Sequence, residues 1–231
     1  MKKIGIIIYA RSNSKRLPNK VLKEINNKSL LEIVYSRVKK KSENIPIIVN
    51  TSKNKSDNKI VRFCKKNKIN FFRGNLNNVI DRTIKCCKKF KLNSFVRVNA
   101  DRPYWDFKLM FKMINLYLSK NFDIVTNQHP KNFPRGLACE IASTKIFYDL
   151  KMKKLSKSEK EHIFNYFYKN SYKYKILNYK DKFYKKVRRI NLSVDSYKDF
   201  SKLEKIYQKI GSKKFITFDT KKLVREYIVK N

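Results

Sequence analysis

The first hundred residues alternate two patterns, and that alternation limits the possible folds more than any other feature of the chain. Short apolar runs, each of strand length, lie at 3–9, 46–51, 69–72 and 94–99. Between them stand segments whose apolar residues recur every three or four positions. "SLLEIVYSRVKKK" opens with Ser29 and Glu32 spaced as a capping box, and "SDNKIVRFCKKN" and "NNVIDRTIKCCKKF" follow the same rule, with Ser56 and Asn77 as expected caps. Strand–helix–strand repetition of this kind predicts an α/β fold, a mostly parallel central sheet with helices on both faces. A further helix near 106–120 and a strand near 123–126 extend it.

After Asn127 the pattern loosens. "NQHPKNFPRGLACEIAS" carries two prolines and a glycine, and "SEKEHIFNYFYKN" reads as a helix with a capping box at Ser158 and Glu161. A strand over 172–179, the segment "RRINLSVD" and two closing helices starting near Ser196 and Asp219 complete the expectation. No repeat and no linker divides the chain, so 1–231 reads as a single domain with an excursion at about 128–180. The helical residues Ile163, Phe164, Tyr166, Phe167 and Tyr168 are apolar on more than one face, which makes that excursion the expected dimer surface.

Composition excludes several classes. The basic start and the run Ile4–Ile8 mimic a signal peptide, but the run is short and a basic loop stands where a cleavage site belongs. No stretch approaches membrane-span length, and a cytoplasmic location is expected. The four cysteines form no C-x-x-C pair and no metal-ligand spacing, which predicts small buried thiols. The 57 Lys and Arg against 18 Asp and Glu give a formal charge of +39. These lysines are spread along the chain beside abundant Asn, Ile and Tyr and only four Gly, so genome composition suffices to explain them. A nucleic-acid module would cluster its cations and interleave stacking aromatics, and no specific nucleic-acid partner is expected.

In a parallel sheet, ligands bind beyond the carboxyl ends of the strands. The first loop, 10–28, lies there and far exceeds the usual two to six residues. It carries Arg11, Lys15, Arg16 and Lys20 among Ser12, Asn13 and Ser14. Cations, small polar groups and free backbone N–H groups suit a polyphosphate. Without glycines the loop is neither a Walker A loop nor a dinucleotide fingerprint. The alternative is a solvated basic loop. Asp101 and Asp195 each follow an apolar β-like run. If both runs lie in the sheet, the two carboxylates share the loop's edge and with phosphate oxygens suit Mg²⁺; the alternative for either is a helix cap or turn.

"ARSNSKRLPNKVL" resembles the A-R-x-x-S-x-R-L-P-x-K-x-L signature of the sugar-activating cytidylyltransferases. These include CMP-Kdo synthetases, acylneuraminate cytidylyltransferases and the spore coat polysaccharide biosynthesis protein F family, to which the chain is most similar. In the same order, "FFRGNLNNVIDRTIKCCKKF", "FVRVNADRPYWD", "NFPRGLACEI", "EKEHIFNYFY" and "INLSVDSYKDF" resemble that family's later blocks. The chain departs from them at Asn78 (for an acid), Ala138 (for Asp), Asn165 (for Pro) and Tyr197 (for Pro), and Ala138 removes a charge from the sugar side.

The resemblance implies a nucleotide-diphospho-sugar-transferase-like Rossmann-type fold and a homodimer. It implies a Mg²⁺-dependent transfer of CMP from CTP to a sugar, expected to be an acidic one of the Kdo or nonulosonic kind, for surface polysaccharide synthesis. Arg11, Lys20 and Asp101 would be catalytic, and Asp101 and Asp195 would hold the metal. Ala10, Arg11, Ser12, Asn13, Ser14, Arg16, Lys20, Asp81 and Arg82 would bind the nucleotide, with Lys15 solvated. Arg135, Glu140 and His162 would face the sugar. For the last five the alternatives are surface ion pairs or a structural histidine. A glycosyltransferase on a related sheet, or a relative without catalysis, is the competing reading; a glycosyltransferase would usually show D-x-D where this chain has Asn99-Ala100-Asp101.

Overall fold

The computed structural model describes residues 3–229 except 15, 41 and 43. β1 (Ile4–Tyr9) leads through the long loop, a 3₁₀ turn (Lys20–Leu22) and a small hairpin, β2 (Glu24–Ile25) and β3 (Lys28–Ser29), into α1 (Leu30–Lys39). Then come β4 (Ile47–Ser52), α2 (Asn58–Lys66), β5 (Asn70–Gly74), α3 (Val79–Lys89), β6 (Ser94–Asn99), α4 (Phe107–Ser119) and β7 (Ile124–Thr126). The less regular half holds β8 (Glu140–Ser143), α5 (Thr144–Tyr148), α6 (Lys157–Glu161), α7 (Asn165–Lys169), β9 (Ile176–Asn178) and α8 (Lys182–Lys186). It closes with α9 (Tyr197–Ile210), α10 (Ser212–Thr217) and α11 (Thr220–Val224).

Seven strands form one sheet in the order β5-β4-β1-β6-β8-β7-β9. All its pairings are parallel except the two that β8 makes, with β6 and β7. β8 and β9 thus bring part of 128–180 into the central sheet, β8 as an interior strand. The strand order reverses at β1, with β4 and β5 on one side and β6 on the other. That reversal opens a crevice beyond the carboxyl ends of β1 and β6.

β1 is apolar on both faces because helices cover both. Ile6 and Ile8 pack with Val49, Val96 and Val98 in a large core that takes in Leu31, Val34, Met110, Met113, Leu203 and Ile206. Ile7 packs on the other face with Ile48, Phe95, Ile80, Ile84 and Phe147. Each such side chain, fully buried, contributes about 1.5–3 kcal/mol.

Local rules hold best where periodicity is clean. Ser29 caps α1 by accepting from the Glu32 N–H. Four details differ from expectation. Asn78, not Asn77, caps α3. Asn54 accepts from Ser56 instead of Ser56 capping α2. The capping box of α6 is Ser156 with Glu159, two residues earlier than expected. The predicted aromatic helix breaks at His162, where ψ is 84°, leaving α6 and α7.

The apolar faces of that segment are not spare. Ile163, Phe164 and Phe167 are buried in the second core, where Phe147 meets Phe164 and Phe167 with ring centroids 5.7 and 4.9 Å apart. Packing in that core takes up three of the five residues that suggested a dimer contact, while Tyr166 and Tyr168 stay partly buried. All four cysteines are free and buried; burial pushes the Cys64 and Cys86 thiols up to about 12. Among the described residues, no helix is long and apolar enough to cross a membrane.

Candidate active site

The loop after β1 is built around Ser12. Its N–H donates to Asp57 Oδ1 at 2.7 Å, and its carbonyl accepts from Ser14 N at 2.9 Å and Asn19 N at 3.2 Å. This knot turns the neighbouring side chains toward the crevice. Arg11 pairs with Glu161 at 2.8 Å, Arg16 with Asp195 at 3.2 Å, and Lys20 with Asp101 at 2.7 Å. Lys20 Nζ also donates to Asp195 Oδ1 and to the Val194 carbonyl, each at 3.1 Å. Lys15 lies outside the described residues.

Asp101 and Asp195 therefore meet under a single ammonium, although the route differs from the expected one. The segment before Asp195 is not a strand: it makes only an isolated bridge, Arg135 with Asn191. It is clipped to the sheet edge by the Leu192 N–H donating to the Arg135 carbonyl at 2.7 Å and the Val194 N–H donating to the Asp101 carbonyl at 2.9 Å. Gly136 permits this approach, since its φ is +100° and a Cβ there would lie 2.4 Å from the Leu192 carbonyl carbon. Asp195 also accepts from Arg135 at 2.5 Å and from Ser193 Oγ at 2.8 Å. Burial alone would raise its pKa. Hydrogen bonds from Ser193 and Lys20, with the charges of Lys20 and Arg135, outweigh burial and hold it below the usual carboxylate range.

These groups border an open cavity of ≈ 520 Å³ whose walls include Ala10, Arg11, Asn13, Ser14, Arg16, Lys20, Arg82, Asp101, His162 and Asp195. Four residues expected at the site stand elsewhere. Ser12 is buried behind the loop. Asp81 pairs with Lys85 along the α3 face at 2.9 Å. Arg135 reaches the site only through Asp195. Glu140 is buried and closed off, bound to Arg97 at 2.6 Å and to the Tyr168 hydroxyl at 2.7 Å. Ala138, where the family pattern has an acid, is buried, and its carbonyl accepts from Arg102 at 2.9 Å.

Sequence reasoning missed Tyr9, Arg97 and Asn99, which also line the cavity. Strand register was the available signal. Tyr9 lies opposite Asn99, and Ile7 opposite Arg97, so alternation puts all three on the face that carries α3. Arg82 passes over Gly74, where a Cβ would come within 2.5 Å of its Cγ, and donates to the Asn75 carbonyl at 2.9 Å.

A divalent ion would find two protein carboxylates here. Among the described residues no group of three or more His, Cys, Asp or Glu could hold a metal. Two carboxylates, completed by phosphate oxygens and water, fit the way Mg²⁺ is held beside nucleotides. The donor set therefore fits such an ion, with the remaining ligands supplied by a substrate.

A family profile described as Cytidylyltransferase matches residues 5–217. An uncharacterized protein of Methanocaldococcus jannaschii is 36% identical over 200 residues, 87% of this chain and 81% of that protein. The spore coat polysaccharide biosynthesis protein SpsF of Bacillus subtilis is 26% identical over 220 residues, 92% of this chain and 90% of its own length. The structure of a cytidylyltransferase from Leptospira borgpetersenii superposes with a TM-score of 0.88 at 27% identity, covering 97% of this chain and 93% of that one. That of a CMP:2-keto-3-deoxy-manno-octonic acid synthetase complexed with CTP gives 0.66 at 14% identity, covering 90% and 99%, a likeness of fold. The chain belongs to the cytidylyltransferase family and is a nucleotidyltransferase that uses CTP.

Proposed function

We propose that this cytidylyltransferase activates an acidic sugar, of the Kdo or nonulosonic kind, for surface polysaccharide synthesis. A sugar hydroxyl attacks the α-phosphorus of CTP, the bond from that phosphorus to the bridging oxygen of the β-phosphate breaks, pyrophosphate leaves, and the hydroxyl's proton passes to water. The observation that carries this reading is the convergence of Arg16, Lys20, Asp101 and Asp195 at one edge of the cavity, with Arg11 on the same loop. Charge grows on the phosphate oxygens as the bond breaks, and cations already in place stabilise it without reorganising.

Arg11, Arg16 and Lys20 take the triphosphate, with Ala10, Asn13 and Ser14 beside it. Asp101 and Asp195 hold Mg²⁺, which when bound would neutralise phosphate charge. Arg82 borders the base side, while Asp81 on α3 and Ser12 within the loop act from outside the cavity wall. His162 faces the sugar; Arg135 and Glu140 act there through Asp195 and Arg97. The name of SpsF supports the polysaccharide role, and the cation-rich cavity supports an anionic second substrate. A homodimer acting in the cytoplasm completes the reading, with light scattering as its check.

The deciding experiment is pyrophosphate release measured across four nucleoside triphosphates and a panel of neutral and acidic sugars, with and without Mg²⁺. Release only with CTP, an acidic sugar and Mg²⁺ is expected. Equal turnover of neutral sugars would remove the acidic-sugar assignment, and full activity in chelator would remove the metal.

A further inference from the structure

Asp57 is not among the expected site residues, yet it is fully buried directly behind the phosphate loop. It occupies the N-cap of α2 but makes no side-chain cap bond to that helix. Both oxygens are used elsewhere. Oδ1 accepts from the Ser12 N–H at 2.7 Å. Oδ2 accepts from the Ser52 N–H at 3.1 Å and from the Ser52 hydroxyl at 2.5 Å. One carboxylate thus ties the end of β4 to the loop that follows β1, across 45 residues of sequence.

Ser12 is the loop's knot, since its carbonyl also gathers the Ser14 and Asn19 N–H groups. Arg11 is its direct neighbour, and Arg16 lies inside the span that the knot closes. The N–H of Ser12 points inward to Asp57 and is not available to a phosphate. The loop therefore differs from a glycine-rich cradle, in which backbone N–H groups face the ligand. Here Ser12 is fastened from behind, and Arg11, Asn13, Ser14 and Arg16 border the cavity. Burial would push the Asp57 carboxyl up, but hydrogen bonds from the Ser52 hydroxyl and from the Ser12 and Ser52 N–H groups hold it below the ordinary aspartate value. It stays an acceptor with both oxygens.

We infer that Asp57 is a positioning residue for the triphosphate: by fixing Ser12 it presets the cations of the loop in the geometry the phosphates require. This rests on reading the cavity as a triphosphate site. Replacement by Ala removes both acceptor oxygens and frees the Ser12 N–H, whereas Asn could turn its amide oxygen to Ser12 and keep that tether.

The test compares CTP with cytidine by titration calorimetry, together with native-state exchange of the Ser12 amide. Asp57→Ala is expected to weaken CTP about tenfold, to leave cytidine affinity unchanged and to lose Ser12 protection. An equal loss for both ligands, or undiminished CTP affinity, overturns the positioning role. Where Asp57→Ala does not fold, Ser52→Ala decides. It removes the hydroxyl donor to Oδ2 and leaves the Ser52 N–H there, so Asp57 is held less firmly behind Ser12 and a CTP-selective loss of about threefold is expected; unchanged CTP affinity overturns the inference. Wild-type protein that binds CTP no more tightly than cytidine refutes the triphosphate reading itself, and with it this role. That result comes from the unaltered chain and so is distinguishable from the others.

Discussion

Asp195 and Glu140 are both buried carboxylates bound to arginine, and both were expected at the site, yet they sit in opposite electrostatic settings. Glu140 lies opposite Arg97 in the register of β6 and β8. Its two oxygens are taken by Arg97 and Tyr168, and Tyr168 shares its hydroxyl with Thr126. Burial would lower the Arg97 pKa, but Glu140 outweighs it and keeps the guanidinium charged. Glu140 has no partner left to exchange, while Arg97 also borders the cavity. Asp195 is held by Lys20, Arg16 and Arg135, and the two arginines are more than half exposed. Those cations can turn to an incoming anion at little cost. A closed pair fixes structure, whereas an open set of partners can be shared with a substrate.

The largest expected effect comes from breaking the closed pair. Glu140→Ala leaves Arg97 charged, mostly buried and without its carboxylate, and should cost about 3 kcal/mol of stability, measured by denaturant unfolding. Replacing both partners, Glu140→Leu with Arg97→Met, should recover much of that loss, because no buried charge remains. If Glu140→Ala instead unfolded like wild type and lost only turnover, Glu140 would belong with Asp195.

Opening the shared set should do the reverse. Asp195→Asn is expected to lower turnover about a hundredfold, roughly 2.7 kcal/mol, while stability changes by about 1 kcal/mol or less because its arginines reach water. Asp101→Asn should match it, and the double variant should be little worse than either, since both serve one cluster. Acid sharpens the contrast. A carboxyl held below its unfolded value of 3.8 contributes stability above that value and loses it as pH falls through the folded value. Wild-type stability should therefore fall below about pH 4, and Asp195→Asn should show a flatter acid limb in unfolding at stepped pH.

The next effect is on ligand binding. Arg11→Ala should weaken CTP by about 1.5–3 kcal/mol, the worth of one charge-assisted contact, with the unfolding midpoint nearly unmoved. Equal calorimetric affinities would remove Arg11 from the triphosphate site.

The same contrast explains what could be read from the chain. β1, β4 and β6 were legible because each is a short apolar run buried on both faces, β5 as the edge strand of the same repeat although it is only partly buried, and α1 to α4 because their apolar stripes keep a helical period. The loop after β1 stood out because it is long and carries four cations at a strand's end, and the resemblance to the cytidylyltransferases, not the spacing, tied it to a triphosphate. Glu140 was misplaced because a residue at a strand's start gives no hint of whether its face is open, and only the pairing with Arg97 settles that. Asp195 reached the expected place by an unexpected path, a segment clipped on by backbone bonds at Leu192 and Val194 rather than paired as a strand. Asp57 was overlooked for Ser56, a plausible cap one position earlier. The signal lay in composition: with 18 acids against 57 bases, an acid set before an apolar helix has a strong claim to a specific partner.

The smallest expected effect tests the open end of the comparison. Arg11 and Glu161 meet at 2.8 Å with both side chains about half exposed, and the pair links the phosphate loop to the end of α6 at the cavity wall. Water screens both charges, so Glu161→Ala should change stability by about 0.2–1 kcal/mol at most. Its effect on CTP is more telling. If Arg11 must leave Glu161 to meet a phosphate, removing the acid spares it that exchange and CTP affinity should rise, by less than about fivefold. The gain should shrink with added salt, because salt already weakens the exposed pair. A loss of CTP affinity in Glu161→Ala would mean that the acid holds Arg11 in its binding position, and the pair would then resemble Glu140 with Arg97, fixed in place despite its exposure.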